Sequence, residues 1–128
     1  MRLLLDTHAF LWWVADAPEL SPRARTAIGA ADNECFLSAA SCWEMAIKVS
    51  IGKLELDGTV ERFVPQHLSA NGFQELPVAI RHAARLSRLP FHHRDPFDRL
   101  LACQALDEKL AIVSADPIFR RYGVKRIW

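Results

Sequence analysis

A chain of 128 residues with 51% hydrophobic and 24% charged residues has the size and composition of one domain with a proper core, spanning residues 1–128. A formal net charge of +1 does not by itself announce a nucleic-acid binder, and no apolar run approaches the roughly 20 residues a membrane helix needs, so no membrane partner is expected. The opening run Leu3-Leu4-Leu5 is too short for the apolar region of about 7 to 15 residues in a signal peptide, which makes a cytoplasmic location the expectation. Cys35, Cys42 and Cys103 are odd in number, scattered among apolar residues and free of any CxxC spacing. That argues against zinc and for reduced cysteines in the core.

Taken in order, residues 2–5 form an unalternating apolar run that suits a buried parallel strand. Asp6-Thr7 supplies an N-cap for a helix over 8–15, in which the adjacent Trp12 and Trp13 point to different sides. Ser21-Pro22 restarts a helix, and residues 34–38 are the second strand. A helix follows over 41–50, with Trp43, Ala46, Ile47 and Ile51 on one side and Gly52 ending it. Gly58-Thr59 opens another to about Ser69, where Pro65 predicts a kink or two short helices. Residues 73–77 are a third strand, and 78–89 a helix carrying arginines. Asp95-Pro96 starts a long helix that is apolar on nearly all sides and should be central. Residues 110–114 are a fourth strand, Asp116-Pro117 starts a short helix, and 124–128 are a fifth, edge strand. Strands alternating with helices mean an α/β fold with a parallel sheet.

Acids recur where these strands end. Asp6 and Asp116 follow strands directly, Glu44 lies just beyond another, and Asp95 and Asp98 open the long helix. Each has a capping explanation: Ser41 with Glu44 fits a capping box, and both Asp-Pro pairs fit an N-cap followed by Pro. Together they suggest more, because ligands of an open parallel sheet bind beyond the carboxyl ends of its strands. Two like charges at about 4 Å repel by about 4 kcal/mol at an effective dielectric near 20, so a gathering of acids calls for protons or a cation. All-oxygen donors favour Mg2+ or Mn2+ over zinc. Residues 81–99 also hold Arg81, Arg85, Arg88, Arg94 and Arg99 with His82, His92 and His93. They are either a local phosphate-binding face or a solvated helix face.

The stretches LLLDTHAFLWW at 3–13, SAASCWEMAIKVSIGKL at 38–54, HHRDPFDRLLACQAL at 92–106 and VSADPIF at 113–119 resemble, in order and spacing, PIN-domain proteins of the VapC type, the toxin ribonucleases of toxin–antitoxin systems. The resemblance implies a three-layer α/β/α sandwich around a parallel sheet of about five strands. It implies an Mg2+ (or Mn2+)-dependent endoribonuclease with Asp6, Glu44, Asp98 and Asp116 as catalytic acids, Asp6 and Asp98 binding metal directly, and Asp95 as a supporting acid. His93, Arg94 and Arg99 are expected to position the RNA backbone, although Arg99 would equally serve by pairing with an acid. Thr7 and Ser114 are either partners of metal-bound water or caps. The implied partners are an RNA substrate, an antitoxin lying on a groove with Trp12, Trp13, Trp43 and Ile51, and a second copy in a homodimer. The alternative is an inactive PIN scaffold that binds RNA or protein without turnover. A haloacid-dehalogenase-type phosphatase needs a second Asp where His8 stands, and a receiver domain needs an acid pair that Asp6-Thr7 does not give.

Overall fold

A computed structural model describes residues 1–128. Five parallel strands, β1 (Arg2–Leu5), β2 (Glu34–Ser38), β3 (Gln74–Leu76), β4 (Ala111–Val113) and β5 (Arg126–Ile127), lie in the order β3-β2-β1-β4-β5. The helices are α1 (Thr7–Val14), α2 (Pro22–Gly29), α3 (Ala39–Ser50), α4 (Val60–Asn71), α5 (Ile80–Arg85) and α6 (Pro96–Glu108), with 3-10 turns at Leu86–Arg88 and Pro117–Tyr122.

The layers follow from strand geometry, in which successive side chains point to opposite faces. Leu3, Leu5, Cys35, Leu37 and Val113 pack on one face with Ala9 and Phe10 of α1, Ala24 and Ile28 of α2, Met45 of α3 and Phe63 and Val64 of α4. Leu4, Phe36 and Ile112 pack on the other with Leu101, Ala102, Cys103 and Ala105 of α6, then Phe119, Tyr122 and Val124. The sheet is thus covered on both sides, which is the expected three-layer α/β/α sandwich. The long helix α6 covers one face of the sheet. Its fully buried polar residue is satisfied: Ser38 Oγ donates to Gln104 Oε1 at 2.6 Å, and Gln104 Nε2 donates to the Pro77 carbonyl at 3.2 Å.

Several local expectations are corrected. Helix α4 runs unbroken through Pro65. The amide that Pro65 lacks would have bonded to the Glu61 carbonyl, and both residues face solvent, so water can serve that carbonyl. Helix α3 begins earlier than predicted, because Ser38 at the end of β2 caps it directly through the Ala40 amide at 3.0 Å. The Ser41–Glu44 capping box therefore does not form, and Ser41 is buried inside the helix with its hydroxyl unpartnered. The arginine-bearing helix is shorter than predicted and ends in a 3-10 turn. The buried side of α3 is Ala40, Ser41, Glu44 and Met45, while Trp43 is 61% exposed, with Ile51 and Ile47 exposed below it.

Candidate metal centre at the carboxyl edge of the sheet

Register decides what meets at this edge. Leu5 pairs with Leu37 on one side and Val113 on the other, so the chain leaves β1, β2 and β4 at one level. Asp6 follows β1, Ser38 ends β2, and Ser114 and Asp116 follow β4. From β1 the chain first builds toward β2 and β3 and later returns to the other side with β4 and β5. The crevice between β1 and β4 is therefore the place where strand order reverses, the usual ligand position in such sheets.

The caps are real, and they do not compete with a site. Asp6 Oδ1 accepts from the Ala9 amide at 2.8 Å, Asp95 Oδ1 from Phe97 at 2.9 Å, and Asp116 Oδ1 from Ile118 at 3.0 Å. Each cap uses one carboxylate oxygen and leaves the other. These three acids line one cleft with Asp98 and Glu44, together with Thr7, His8, Trp12, Lys48 and His93; its volume is about 410 Å³.

Glu44 is held at both oxygens. Thr7 Oγ1 donates to Oε1 at 2.7 Å, and Lys48 Nζ stands 2.8 Å from Oε2, one helical turn on. His93 Nε2 lies 3.1 Å from Asp116 Oδ2 and 3.3 Å from Asp98 Oδ2. Burial pushes the Asp98 carboxyl up to about 7, helped by the charges of Asp95 and Asp6, while His93 opposes the rise. Burial likewise raises Asp6, with hydrogen bonds from the Ser114 side chain and the Ala9 amide pulling the other way. Burial, with neighbouring carboxylates adding to it, makes these two acids reluctant to carry charge in the metal-free cleft. A hard divalent cation would relieve this, and carboxylate oxygens are the donors such a cation prefers.

A second cluster, His82 with Asp107 and Glu108, offers ligand atoms at similar spacing but belongs to the packing. The Ala79 amide donates to His82 Nδ1 at 2.9 Å, so the ring proton sits on Nε2 and points at Glu108 Oε1, 2.8 Å away. A protonated nitrogen is not a ligand. Arg81 pairs with Asp107 at 2.7 Å and with Glu108, and Arg85 reaches Asp107 at 3.8 Å. Much of the expected basic face is thus spent tying α5 to the end of α6.

The sequence-predicted residues divide accordingly. Asp6, Glu44, Asp95, Asp98, Asp116 and His93 come together in the cleft. Arg94 is exposed outside it. Arg99 also lies outside it, donating to the Leu89 carbonyl at 3.3 Å and stacking on Phe91 with its guanidinium 4.5 Å from the ring centre, so it pairs with none of the acids. Lys48 and His8 are cleft residues that the motifs do not single out. The i,i+4 spacing of Glu44 and Lys48 is the one signal for Lys48. The cysteines are free, Cys35 and Cys103 are buried, and burial raises the Cys35 thiol to about 11, as befits inert core residues.

Comparison with known proteins agrees with this arrangement. The PIN domain family matches residues 3–125. The chain belongs to the PIN-domain family. It is 31% identical to Ribonuclease VapC22 of Mycobacterium tuberculosis (strain ATCC 25618 / H37Rv) over 123 residues, covering 94% of this chain and 91% of that protein. That likeness places this PIN domain with the VapC type. Among solved structures it is similar to VapBC2 from Rickettsia felis bound to a DNA fragment from their promoter, with a TM-score of 0.72, 15% identity, and coverage of 98% of this chain and 97% of that one. FitAcB from Neisseria gonorrhoeae gives a TM-score of 0.67 at 20% identity, with 97% of this PIN domain and 95% of that chain covered. These two likenesses speak for the fold.

Proposed function

We propose that this PIN domain is a divalent-metal-dependent endoribonuclease, the toxin of a toxin–antitoxin pair. The observation that carries the proposal is the convergence of Asp6, Glu44, Asp98 and Asp116 in one cleft at the strand-order reversal, with burial pushing the Asp6 and Asp98 carboxyls up. The kinship with Ribonuclease VapC22 supports the choice of substrate.

Asp6 and Asp98 would hold Mg2+ or Mn2+, with Asp116 and Glu44 beside them. When bound, such an ion supplies Lewis acidity toward both water and phosphate. The chain does the positioning. Capping fixes Asp6 and Asp116 through their Oδ1 atoms, which sets the orientation of each carboxylate at the cleft. Thr7 and Lys48 fix Glu44 in the same way. Water attacks phosphorus in line, the bond to the 3′ oxygen breaks, and the ends left are 5′-phosphate and 3′-hydroxyl. The proton lost by the water leaves through a cleft carboxylate, and the departing 3′ oxygen gains one.

The partner is an antitoxin whose apolar segment covers the exposed side chains of Trp43, Ile47 and Ile51 on α3. Trp12 and Trp13 are half-buried instead, against Trp128 and Phe73. A homodimer and a cytoplasmic location complete the reading. No helix is long and apolar enough to cross a membrane.

The test is cleavage of a total-RNA pool with Mg2+ or Mn2+, comparing wild type with Asp6→Asn and Asp98→Asn, followed by end mapping. Discrete cuts with 5′-phosphate ends, lost in both variants and in EDTA, are expected. Cuts that survive both substitutions would mean a contaminant or a misplaced active site, and pure protein that neither binds Mn2+ nor cuts would refute the proposal in favour of an inactive scaffold.

A further inference from the structure

We propose that His93 is a positioning residue that clamps the acids Asp98 and Asp116 together by directing its Nε2 proton at both, neither ligating the cation nor contacting substrate. The inference rests on the nuclease reading above and assigns His93 a different task from the backbone contact its sequence position suggests.

The ring's tautomer follows from its neighbours. The Asp95 amide donates to His93 Nδ1 at 2.9 Å. That nitrogen must offer a lone pair, so the neutral ring carries its proton on Nε2. Nε2 hydrogen-bonds Asp116 Oδ2 at 3.1 Å and stands 3.3 Å from Asp98 Oδ2. Both neighbours are acceptors, as a donor requires. Ligation through Nε2 would force the proton onto Nδ1, where it would face the Asp95 N–H, donor against donor.

The consequences reach both acids. Asp98 sits on the first turn of α6, and Asp116 caps the 3-10 turn after β4. Their Oδ2 atoms would repel without a donor between them. With His93 in place Asp116 is fixed at both oxygens, Oδ1 by the Ile118 amide and Oδ2 by the ring. Asp98 is held on one side only, and its Oδ1 remains free to meet a cation. The Asp95 amide thereby links the helix it caps to an acid 21 positions later in the chain, through one imidazole. Partners of this kind set the orientation of metal-binding carboxylates, and losing one typically costs about 10- to 100-fold in metal affinity.

The experiment is Mn2+ titration calorimetry on the full chain, comparing wild type with His93→Ala and His93→Gln, alongside 15N NMR of the ring in metal-free wild type. Glutamine offers an amide oxygen to the Asp95 N–H and an NH2 to the acids, but it cannot reproduce an imidazole ligand. His93→Ala is expected to weaken Mn2+ binding about tenfold or more, and His93→Gln to restore it to within about threefold of wild type. The NMR should show the proton on Nε2. Equal losses in both variants would make His93 a ligand, no loss in either would leave it without a role, and tighter binding in His93→Ala would make it a competitor; each overturns the clamp. If wild type binds no Mn2+, the nuclease reading fails by itself. The metal-free spectrum then decides the clamp: a proton on Nδ1 overturns it. Should His93→Ala fail to fold, the glutamine variant and the spectrum still decide between clamp and ligand.

Discussion

Asp98→Asn should abolish metal-dependent activity and yet stabilise the metal-free protein. The folded-state carboxyl lies at about 7, against an ordinary value of 3.8. Between those values the native state keeps a proton that the unfolded chain has released. The stability this confers is fully present below about pH 4 and is lost as pH rises through about 7. A shift of roughly 3 pH units corresponds to about 4 kcal/mol at most. The side chain is 22% exposed, so solvent screening and local relaxation reduce this to about 2 kcal/mol. Asparagine keeps the shape and never ionises, though it gives up about 0.5 kcal/mol of favourable charge at the helix start. Urea denaturation in EDTA at pH 5, 6, 7 and 8 should therefore show the gap between variant and wild type widening in the variant's favour by about 1 kcal/mol, the rest of the effect falling below pH 5. Saturating Mn2+ should close or reverse it, because only wild type gains the ligand's stabilisation. A gap that stays flat with pH, or that widens in favour of wild type, would refute the electrostatic account of this site.

Lys48→Met removes the cation from Glu44 Oε2 and leaves a buried carboxylate held by Thr7 alone. Stability in EDTA should fall by about 1–3 kcal/mol, and saturating Mn2+ should recover part of it; equal losses with and without Mn2+ would detach Lys48 from the site's charge balance. Gln104→Ala strips the Ser38 hydroxyl and the Pro77 carbonyl of their partner and opens a cavity beneath the sheet edge. A loss of roughly 3 kcal/mol is expected in urea denaturation, and a loss under about 1 kcal/mol would mean that water replaces the amide.

The acids were legible because they follow apolar runs. An apolar stretch that ends in Asp6, or one that ends three residues before Asp116, declares both a strand and the level at which it stops. Asp98 and Asp95 were legible through their place at the head of a long apolar helix. What was not legible was how each carboxylate divides its two oxygens. Capping and site membership look like rival readings in one dimension; in the fold, Asp6, Asp95 and Asp116 each cap with Oδ1 while standing in the cleft. Partners distant in sequence were equally hidden. Arg81 and Arg85 look like a free basic face until α6 brings Asp107 and Glu108 beneath them. Trp43, Ile47 and Ile51 recur at helical spacing as a core stripe would, yet the sheet takes the adjacent stripe, Ala40, Ser41, Glu44 and Met45.

That last difference has a physical cause. Because Ser38 both ends β2 and caps α3, no loop intervenes to let the helix rotate before it packs. The phase of the helix is set by the strand, and it turns the polar Glu44 inward and Trp43 outward. Hydrophobic spacing alone would choose the opposite phase. The chain gives up apolar burial on α3 to bring a carboxylate within 2.7 Å of the Thr7 hydroxyl, at the start of the helix that follows the central strand. A fold that turns a tryptophan to solvent in order to bury a glutamate, and buffers that glutamate with a lysine one turn away, is arranged around its cleft. The same arrangement leaves the apolar side chains of Trp43, Ile47 and Ile51 on the surface.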